Sequence, residues 1–403
     1  MDIAKIRQKA EELAPEITEL RHHLHANPEL SWQEVNTSKL IESELKKLGF
    51  DNIKRGFDGT ECGVTADLTG DPSGPVIALR ADIDALPLPE EGLCSYKSTN
   101  GAMHACGHDG HAACLIGVAR LLASIKNDIP GTIRFLFQPA EEHGKRSGAL
   151  ALIREGALDG VRAVGGMHLW STVPVGRVVW KYGPAMAAVD SFNFTFTGKG
   201  GHGAMPHQAI DPTPAAASFI SALQTVVSRE IDPAETAVIS IGQLQSGNAF
   251  NIIPETATIT GNTRSFSDDV HNELAEKMTR LAEGIAAAYR CTVEKDIVVL
   301  YPSVINHVGA TDVLRKSAVS ALGEENVKEA GTYMVSEDFS YYQRKVPGVF
   351  YFMGCGAEET KTNYPHHSPN FNIDDRVIPD ALTVMSAFAL NLLTDIRSGA
   401  FKA

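Results

Sequence analysis

Apolar residues near the start of the chain recur every three or four positions over 2–24, which predicts an amphipathic helix. A second helical pattern covers 33–48 and stops at Gly49. Short apolar runs and further helical patterns then alternate. The predicted strands are 64–68, 75–80, 132–138 and 161–168, and the predicted helices between and after them are 110–126 and 147–156. This alternation indicates an α/β domain with a largely parallel sheet.

The pattern changes over 190–298, where one strand and one helix are followed by two strands, a helix and a strand. The predicted strands are 191–197, 236–244, 256–264 and 291–299, and the predicted helices are 212–229 and 268–289. The order β-α-β-β-α-β is that of a ferredoxin-like domain. An apolar strand at 348–353 and a helix at 376–394 resume the first pattern. We therefore expect a catalytic domain, 1–187 plus 300–403, interrupted by an inserted α+β lid domain, 188–299.

The composition limits the class of protein. The chain has 403 residues, 43% of them hydrophobic, which is enough for two cores. Its net charge of −13 argues against a nucleic-acid partner, because nucleic-acid sites are basic. No run of 18 apolar residues predicts a membrane span, and the charged N-terminus lacks a secretory signal, so we expect a cytoplasmic protein. The six cysteines form no C-x-x-C pair and are expected to be reduced thiols.

Residues 103–111 read Met-His-Ala-Cys-Gly-His-Asp-Gly-His, and they concentrate groups that bind metals. Cysteine and histidine are preferred ligands of zinc and its neighbours. Further candidates follow predicted strands: Glu141-Glu142 after 132–138, His168 at the end of 161–168, and His366-His367 beyond the last strand. Functional groups of open α/β sheets collect beyond the carboxyl ends of strands. The sequence therefore predicts one metal site built from separate loops.

The Glu141-Glu142 pair indicates what such a site does. Neighbouring side chains of an extended segment point in opposite directions. One carboxylate can then bind metal while the other takes a proton from a water molecule and passes it to a leaving nitrogen. This arrangement is typical of metal-assisted amide hydrolysis.

Each of these features also has a purely structural interpretation. The two glutamates could be a solvated acidic pair, His168 a hydrogen-bonded core residue, and Cys106 a small buried hydrophobe. His366-His367 could be ordinary loop residues, and the histidines at 22, 23 and 25 are expected to be capping or surface residues.

The inserted domain carries a second candidate cluster. His202 lies among glycines at 198, 200, 201 and 203, which leave its imidazole exposed at a strand end. Asn251 and Arg264 flank the strand 256–264. Arg264 could bind a carboxylate with two hydrogen bonds, or it could be an exposed strand residue.

Together these motifs resemble the amidohydrolase branch of the M20 metallopeptidases. The matching segments are 24–30 (LHANPEL), 80–87 (RADIDALP), 103–111 (MHACGHDGH), 138–142 (QPAEE), 166–168 (GMH), 200–202 (GGH), 336–339 (SEDF) and 366–369 (HHSP). The resemblance implies an α/β fold with a zinc-peptidase-like αβα catalytic domain and an inserted ferredoxin-like lid and dimerisation domain. Two differences stand out, because Asn262 replaces a common threonine and His143 a common glycine.

The resemblance also implies the site. Two divalent ions, zinc or manganese with cobalt or nickel also compatible, would be held by Cys106, His108, Glu142, His168 and His367. Cys106 would bridge both ions, and His104, Asp109 and His111 would orient the ligands. Glu141 would be the general base and acid. His202 would polarise the scissile carbonyl, often in the partner subunit of a dimer, and Asn251 and Arg264 would bind the substrate's carbonyl and carboxylate.

The implied activity is hydrolysis of N-acyl amino acids, with acetyl, benzoyl or similar acyl groups, to a carboxylic acid and a free amino acid. A dipeptidase or other metallo-exopeptidase is the alternative, because a peptide bond presents the same carbonyl. A metal-binding protein without catalysis is disfavoured, since Glu141 and every implied ligand are present. The expected partners are a small-molecule substrate and a second copy of the chain, with neither nucleic acid nor membrane.

Overall fold

The computed structural model describes residues 2–402, which form two compact units. The first unit comprises the chain up to Ala185, Ile305–Gly331, and the chain from Asp338 onward. The second comprises Met186–Val304 and Thr332–Glu337. The predicted insertion, 188–299, lies within the second unit, which extends beyond it at both ends and also includes the short segment 332–337.

Within the described residues the helices and strands follow one another through both units. The α-helices are α1 (Ile3–Ala26), α2 (Val35–Lys47), α3 (His108–Ala123), α4 (Gly148–Arg154), α5 (Pro212–Thr225), α6 (Asp268–Ala288), α7 (Val308–Leu322), α8 (Ser340–Gln343) and α9 (Val377–Ser398). The strands are β1 (Asp51–Arg55), β2 (Val64–Thr69), β3 (Val76–Asp82), β4 (Thr132–Gln138), β5 (Val161–Pro174), β6 (Val178–Trp180), β7 (Gly183–Met186), β8 (Ala188–Thr197), β9 (Gly201–His202), β10 (Ala237–Ser246), β11 (Ile252–Ile253), β12 (Thr256–Ser265), β13 (Thr292–Tyr301), β14 (Val304–Asn306), β15 (Val327–Glu329) and β16 (Gly348–Gly356).

An eight-stranded sheet organises the first unit, in the order β1-β2-β4-β3-β5-β16-β6-β15. Its four central strands, β4, β3, β5 and β16, are parallel to one another. Antiparallel pairs join β1 to β2, β2 to β4, and β16 to β6. The largely parallel sheet predicted from the sequence is therefore found at the centre, and the ends of the sheet are mixed. The predicted α/β fold class is confirmed.

Helices α1, α3, α7 and α9 pack against one another beside this sheet. Helix α3 is buried along nearly its whole length, because its residues 110–119 are almost all small or apolar. Helix α9 is long and apolar enough to cross a membrane, but 83% of its most apolar window is buried inside the protein. Its composition is therefore explained by its place in the core.

The second unit contains an antiparallel sheet in the order β10-β12-β8-β13. Alternate residues of β8 point into its core, where Phe192, Phe194 and Phe196 are fully or almost fully buried. Phe219 of α5 and Met278 of α6 pack in the same core. The element order and the strand order are those of a ferredoxin-like fold. The role of this unit as a lid and dimerisation domain stays a prediction.

Some elements differ from the sequence-based expectations. Strand β5 does not end at residue 168 but continues to Pro174, because it stays paired with β16 along that length. The apolar pattern predicts neither α7 nor the strands β1, β6 and β15. Strand β1 (DNIKR) has a single apolar residue, and β6 and β15 have three residues each, too few to show a period.

Candidate metal centre

The nine-residue motif 103–111 crosses the start of helix α3. Gly107 precedes the first helical residue and has a φ of 86°, a left-handed conformation that glycine adopts at little cost. This turn places Cys106 just before the helix and His108 in its first position. Strands β3 and β4 end beside them, so that Asp82, Asp84 and Glu142 reach the same region.

The five predicted ligands form two groups that share one atom. The ligand atoms of Cys106, His108 and His168 lie within 4.8 Å of one another, and so do those of Cys106, Glu142 and His367. The Cys106 Sγ atom belongs to both groups and lies 3.5 Å from His168 Nε2. A single cysteine sulfur placed between two sets of ligands has the arrangement that a bridging ligand needs.

His168 lies inside strand β5 and not at its end, so the expectation of a strand-end position is wrong. Its Nδ1–H donates a 2.8 Å hydrogen bond to the Leu169 carbonyl, which leaves the Nε2 lone pair facing Cys106. Burial, reinforced by the nearby His111 and His366, holds the pKa of His168 well below its usual value. A neutral imidazole is the form that binds metal.

A strained turn presents the two glutamates. Ala140 has a φ of 51°, which is uncommon outside glycine, and its N–H donates a 2.8 Å hydrogen bond to Glu34. The Glu142 N–H donates to Asp84 at 3.0 Å. Ligand atoms of His108, Glu141 and Glu142 also lie within 4.8 Å of one another. Both carboxylates therefore border the same cluster.

The electrostatics of the cluster fit a cation. His108 Nδ1 lies 2.9 Å from the Asp84 carbonyl oxygen and 3.2 Å from its carboxylate. Burial lowers the pKa of His108, but the charges of Asp82, Asp84 and Glu142 outweigh burial and raise it to about 10. The buried His108 Nε2 has no hydrogen-bond partner among the described residues. A divalent ion would satisfy this nitrogen and balance the surrounding carboxylates.

Asp82 and Asp84 are site residues to which the sequence analysis assigns no role. Their D-x-D pattern nevertheless follows a predicted strand, just as Glu141-Glu142 does. Asp82 accepts a 2.6 Å hydrogen bond from His111 and pairs with Arg80 at 2.6 Å. Arg80 is itself buried and pairs with Asp338 at 2.9 Å. These contacts fix the residues behind the ligands, as outer-shell carboxylates do in metal sites.

The structure separates the two adjacent histidines 366 and 367. His366 Nε2 donates a 2.9 Å hydrogen bond to the Leu169 carbonyl, and its ring packs on Trp170. His367 Nε2 instead lies 3.2 Å from Glu142 Oε1. The backbone of His367 is left-handed, with a φ of 63°, and its N–H donates to Ala105. His367, and not His366, therefore faces the cluster.

The sequence profile of peptidase family M20/M25/M40 matches residues 78–391. This chain belongs to that family. N-acetylcysteine deacetylase of Bacillus subtilis is 42% identical over 380 residues, which cover 93% of this chain and 94% of the relative. Thermostable carboxypeptidase 2 of Saccharolobus solfataricus is 38% identical over 378 residues, with coverages of 93% and 95%. Among solved structures, this chain is similar to Bacillus subtilis YXEP, a dinuclear metal binding peptidase from the M20 family, with a TM-score of 0.83 and 36% sequence identity. The match covers 95% of this chain and 99% of that chain.

A network of buried charged side chains lies behind the first turn of α3 in this M20 family member. It shows that the expectation of a capping or surface position is wrong for His25. His25 is not a surface residue, because it is fully buried and its Nδ1 lies 2.8 Å from Asp109 Oδ2. Arg21, also fully buried, donates to the same carboxylate oxygen at 2.7 Å. Asp109 therefore joins α1 to α3 next to His108. His22 is half-buried and stacks on Tyr96.

The other two histidines of the motif differ in their surroundings. His111 is held at both nitrogens, by Asp82 and by the Leu169 N–H, which donates to Nε2 at 2.9 Å. It has no lone pair left for a metal. His104 is buried with no hydrogen-bond partner at either nitrogen among the described residues. No contact of His104 therefore supports the expected orienting role.

The three remaining predicted residues of this M20 protein lie in the second unit. His202 is exposed on β9, which pairs with β11, and the Gly203 N–H donates to the Asn251 carbonyl at 2.8 Å. His202 and Asn251 are therefore neighbours. Arg264 is half-buried and donates to the Met334 carbonyl at 3.0 Å and to the Ser336 hydroxyl at 3.2 Å.

The two residues that differ from the family pattern also have defined positions. Asn262 Oδ1 lies 3.5 Å from Arg264 Nε, two residues along the same strand. His143 Nδ1 accepts a 3.2 Å hydrogen bond from the Arg146 N–H in the turn after Glu142. Asn262 thus borders the guanidinium, whereas His143 stabilises a turn.

Proposed function

We propose that this protein is a metal-dependent amidohydrolase that cleaves N-acyl amino acids to a carboxylic acid and a free amino acid. The observation that carries the proposal is the position of Cys106 Sγ, which belongs to both groups of ligand atoms while Glu141 borders the same cluster. The relative named N-acetylcysteine deacetylase, 42% identical over nearly the whole chain, supports this class of substrate.

The donor set supports two divalent ions in each subunit. Cys106, His108 and His168 would hold one, and Cys106, Glu142 and His367 the other. Thiolate and imidazole donors favour zinc, and the carboxylates also suit manganese, cobalt or nickel. When bound, such ions lower the pKa of a water molecule and polarise a carbonyl.

The protein's own acid–base group in this mechanism is Glu141. Its carboxylate lies beside the ligand atoms of His108 and Glu142, and its burial keeps it away from bulk water. Glu141 takes a proton from the attacking water and delivers it to the nitrogen that leaves as a free amine. The network of Asp84 and Asp82 holds His108 in place during these steps.

In the second unit, Arg264 would bind the α-carboxylate of the substrate. Its contacts are a carbonyl and a hydroxyl, and no carboxylate of the described residues pairs with it. A guanidinium without a counter-ion is suited to bind a carboxylate. The roles of His202 and Asn251 at the substrate's carbonyl, the homodimer and the cytoplasmic location remain predictions.

A peptidase is the second candidate function, favoured by the 38% identity to a protein named thermostable carboxypeptidase 2. Both substrate classes present an amide carbonyl beside an amino acid that carries a free carboxylate. They differ in what lies on the acyl side, which is an uncharged acyl group in one case and an amino acid residue in the other.

The test is a panel of N-acetyl amino acids, N-benzoyl amino acids and dipeptides with the same C-terminal residues. We expect N-acyl amino acids to be hydrolysed with the higher kcat/KM, chelation to abolish turnover, and zinc or manganese to restore it. Higher kcat/KM for dipeptides would establish the peptidase instead. Full turnover by protein shown to contain no metal would contradict both functions.

A further inference from the structure

A second group of metal-binding side chains lies outside the Cys106 cluster. His25, at the end of α1, comes together with Glu90 and Cys94, which belong to the segment between β3 and α3. The ligand atoms of these three residues lie within 4.8 Å of one another. None of them is among the ligands predicted for the catalytic ions.

Two of the three distances between the ligand atoms are close to those of a tetrahedral zinc site. His25 Nε2 lies 3.1 Å from Glu90 Oε1, and Cys94 Sγ lies 3.4 Å from the same oxygen. Zinc bonds of about 2.0–2.3 Å at tetrahedral angles place ligand atoms about 3.3–3.6 Å apart. Only small movements of the side chains would be needed to receive an ion.

Two of the three donors are already oriented from behind. Asp109 Oδ2 lies 2.8 Å from His25 Nδ1, which directs Nε2 toward Glu90. The Ser98 N–H donates a 2.7 Å hydrogen bond to Glu90 Oε2, so that Oε1 faces His25 Nε2 and Cys94 Sγ. A carboxylate behind a histidine is the usual support of a zinc ligand.

The group is sheltered on one side and open on the other. The side chains of His25 and Glu90 are 0% and 1% exposed. Cys94 is half-buried and lines a cavity of about 560 Å³ together with Tyr96 and Asn372. The cavity gives an ion a route of entry and provides a fourth position for water.

We propose that His25, Glu90 and Cys94 bind a zinc ion that is distinct from the catalytic ions. Binding displaces the proton shared by His25 and Glu90 and the proton of the Cys94 thiol, and both protons go to solvent. The ion ties the end of α1 to the segment that leads into α3. Its role is therefore to stabilise this segment, not to take part in the reaction.

Zinc counting tests the proposal on the full-length protein. Chelator-treated protein is incubated with Zn²⁺ and desalted, and zinc per chain is measured by elemental analysis. We expect Cys94→Ser and Glu90→Gln each to hold one zinc ion fewer than the wild type, and Cys291→Ser, which removes a thiol from the second unit, to hold the wild-type number. Equal zinc in the wild type and Cys94→Ser would overturn the proposal. The result is the difference in zinc per chain between each variant and the wild type, so it does not depend on how many ions the Cys106 cluster holds.

Cobalt gives a second readout that identifies the thiol. In Cys106→Ser, the thiolate–cobalt charge-transfer absorption of the Co²⁺-loaded protein is expected to come from Cys94. Adding Cys94→Ser to this variant should remove the absorption. If the double variant keeps it, or if Cys106→Ser alone already lacks it, Cys94 is not a metal ligand.

Discussion

Glu34 accepts a 2.8 Å hydrogen bond from the backbone N–H of Ala140, the residue directly before Glu141. Both partners are fully buried, and Ala140 has the left-handed conformation of a strained turn. Glu34 immediately precedes helix α2, far from the glutamate pair in the sequence. The start of α2 therefore helps to hold the turn that presents Glu141 and Glu142.

Removing this contact should lower turnover. Glu34→Ala leaves the Ala140 N–H buried without an acceptor, which costs about 1–3 kcal/mol and releases the turn. We expect kcat for an N-acetyl amino acid to fall by about 10- to 100-fold, because small displacements of a catalytic group have effects of this size. KM should change much less. Steady-state kinetics measure both values.

Glu34→Gln is the matched control, since its side-chain carbonyl can accept the same hydrogen bond. It should keep most of the wild-type kcat. If the alanine variant keeps wild-type kcat, or if the glutamine variant loses as much as the alanine variant, Glu34 does not act through the Ala140 N–H.

Glu34 also predicts a dependence of stability on pH. Burial and the nearby charge of Asp84 raise the pKa of Glu34 to about 8, whereas a carboxyl in an unfolded chain has a pKa of about 4.3. The folded protein therefore keeps this proton to higher pH than the unfolded chain does. The contribution of Glu34 to the free energy of unfolding is fully present below about pH 4.3 and is lost as pH rises through the folded pKa, by at most about 1.4 kcal/mol per pH unit.

The side chain introduced by Glu34→Gln does not ionise. The free energy of unfolding of this variant therefore lacks the decrease that Glu34 causes as pH rises. Denaturant unfolding of both metal-loaded proteins at about pH 5 and about pH 8 should show the variant gaining stability relative to the wild type as pH rises. A constant difference between the two proteins would mean that Glu34 titrates alike in the folded and unfolded states.

The Glu34 contact illustrates what the sequence could and could not predict. The candidate ligands could be predicted from the sequence because cysteine, histidine and paired glutamates are chemically distinctive, and because Cys106, His108 and Glu142 lie close to the start of a helix or the end of a strand. Local patterns do not show which buried group contacts a given turn. The partnership of Glu34 with Ala140, and that of Arg80 with Asp338, depend on segments brought together only by the sheet order.

His25 shows the same limit of sequence-based prediction, because its local pattern indicates the wrong environment. Its position at the end of an amphipathic helix, beside two other histidines, is typical of a surface residue. Burial follows from Asp109 and Glu90, which approach from two other segments. The extension of β5 past His168 is likewise a result of pairing with β16, which no pattern within 161–174 specifies.

The predicted role of His202 in a partner subunit can be tested by complementation. His202→Ala and Glu141→Gln are each expected to be inactive. In co-expressed dimers, one site of each mixed dimer would regain both residues if His202 acts across the dimer. Random pairing then predicts about a quarter of wild-type activity. Activity no higher than that of the separate variants would show that His202 acts within its own subunit or not at all. A different affinity tag on each variant allows the fraction of mixed dimers to be measured, which controls for the efficiency of mixing.

The central claim is that Glu141 moves the proton while its neighbours hold the metal, and Glu141→Gln tests it most directly. Hydrolysis of an N-acetyl amino acid and the metal content are measured on the same sample, beside Glu142→Gln. We predict that Glu141→Gln keeps the wild-type metal content and loses at least about a hundred-fold in kcat, whereas Glu142→Gln loses metal as well. A Glu141→Gln protein that retains more than about a hundredth of wild-type kcat with its metal in place would contradict the account.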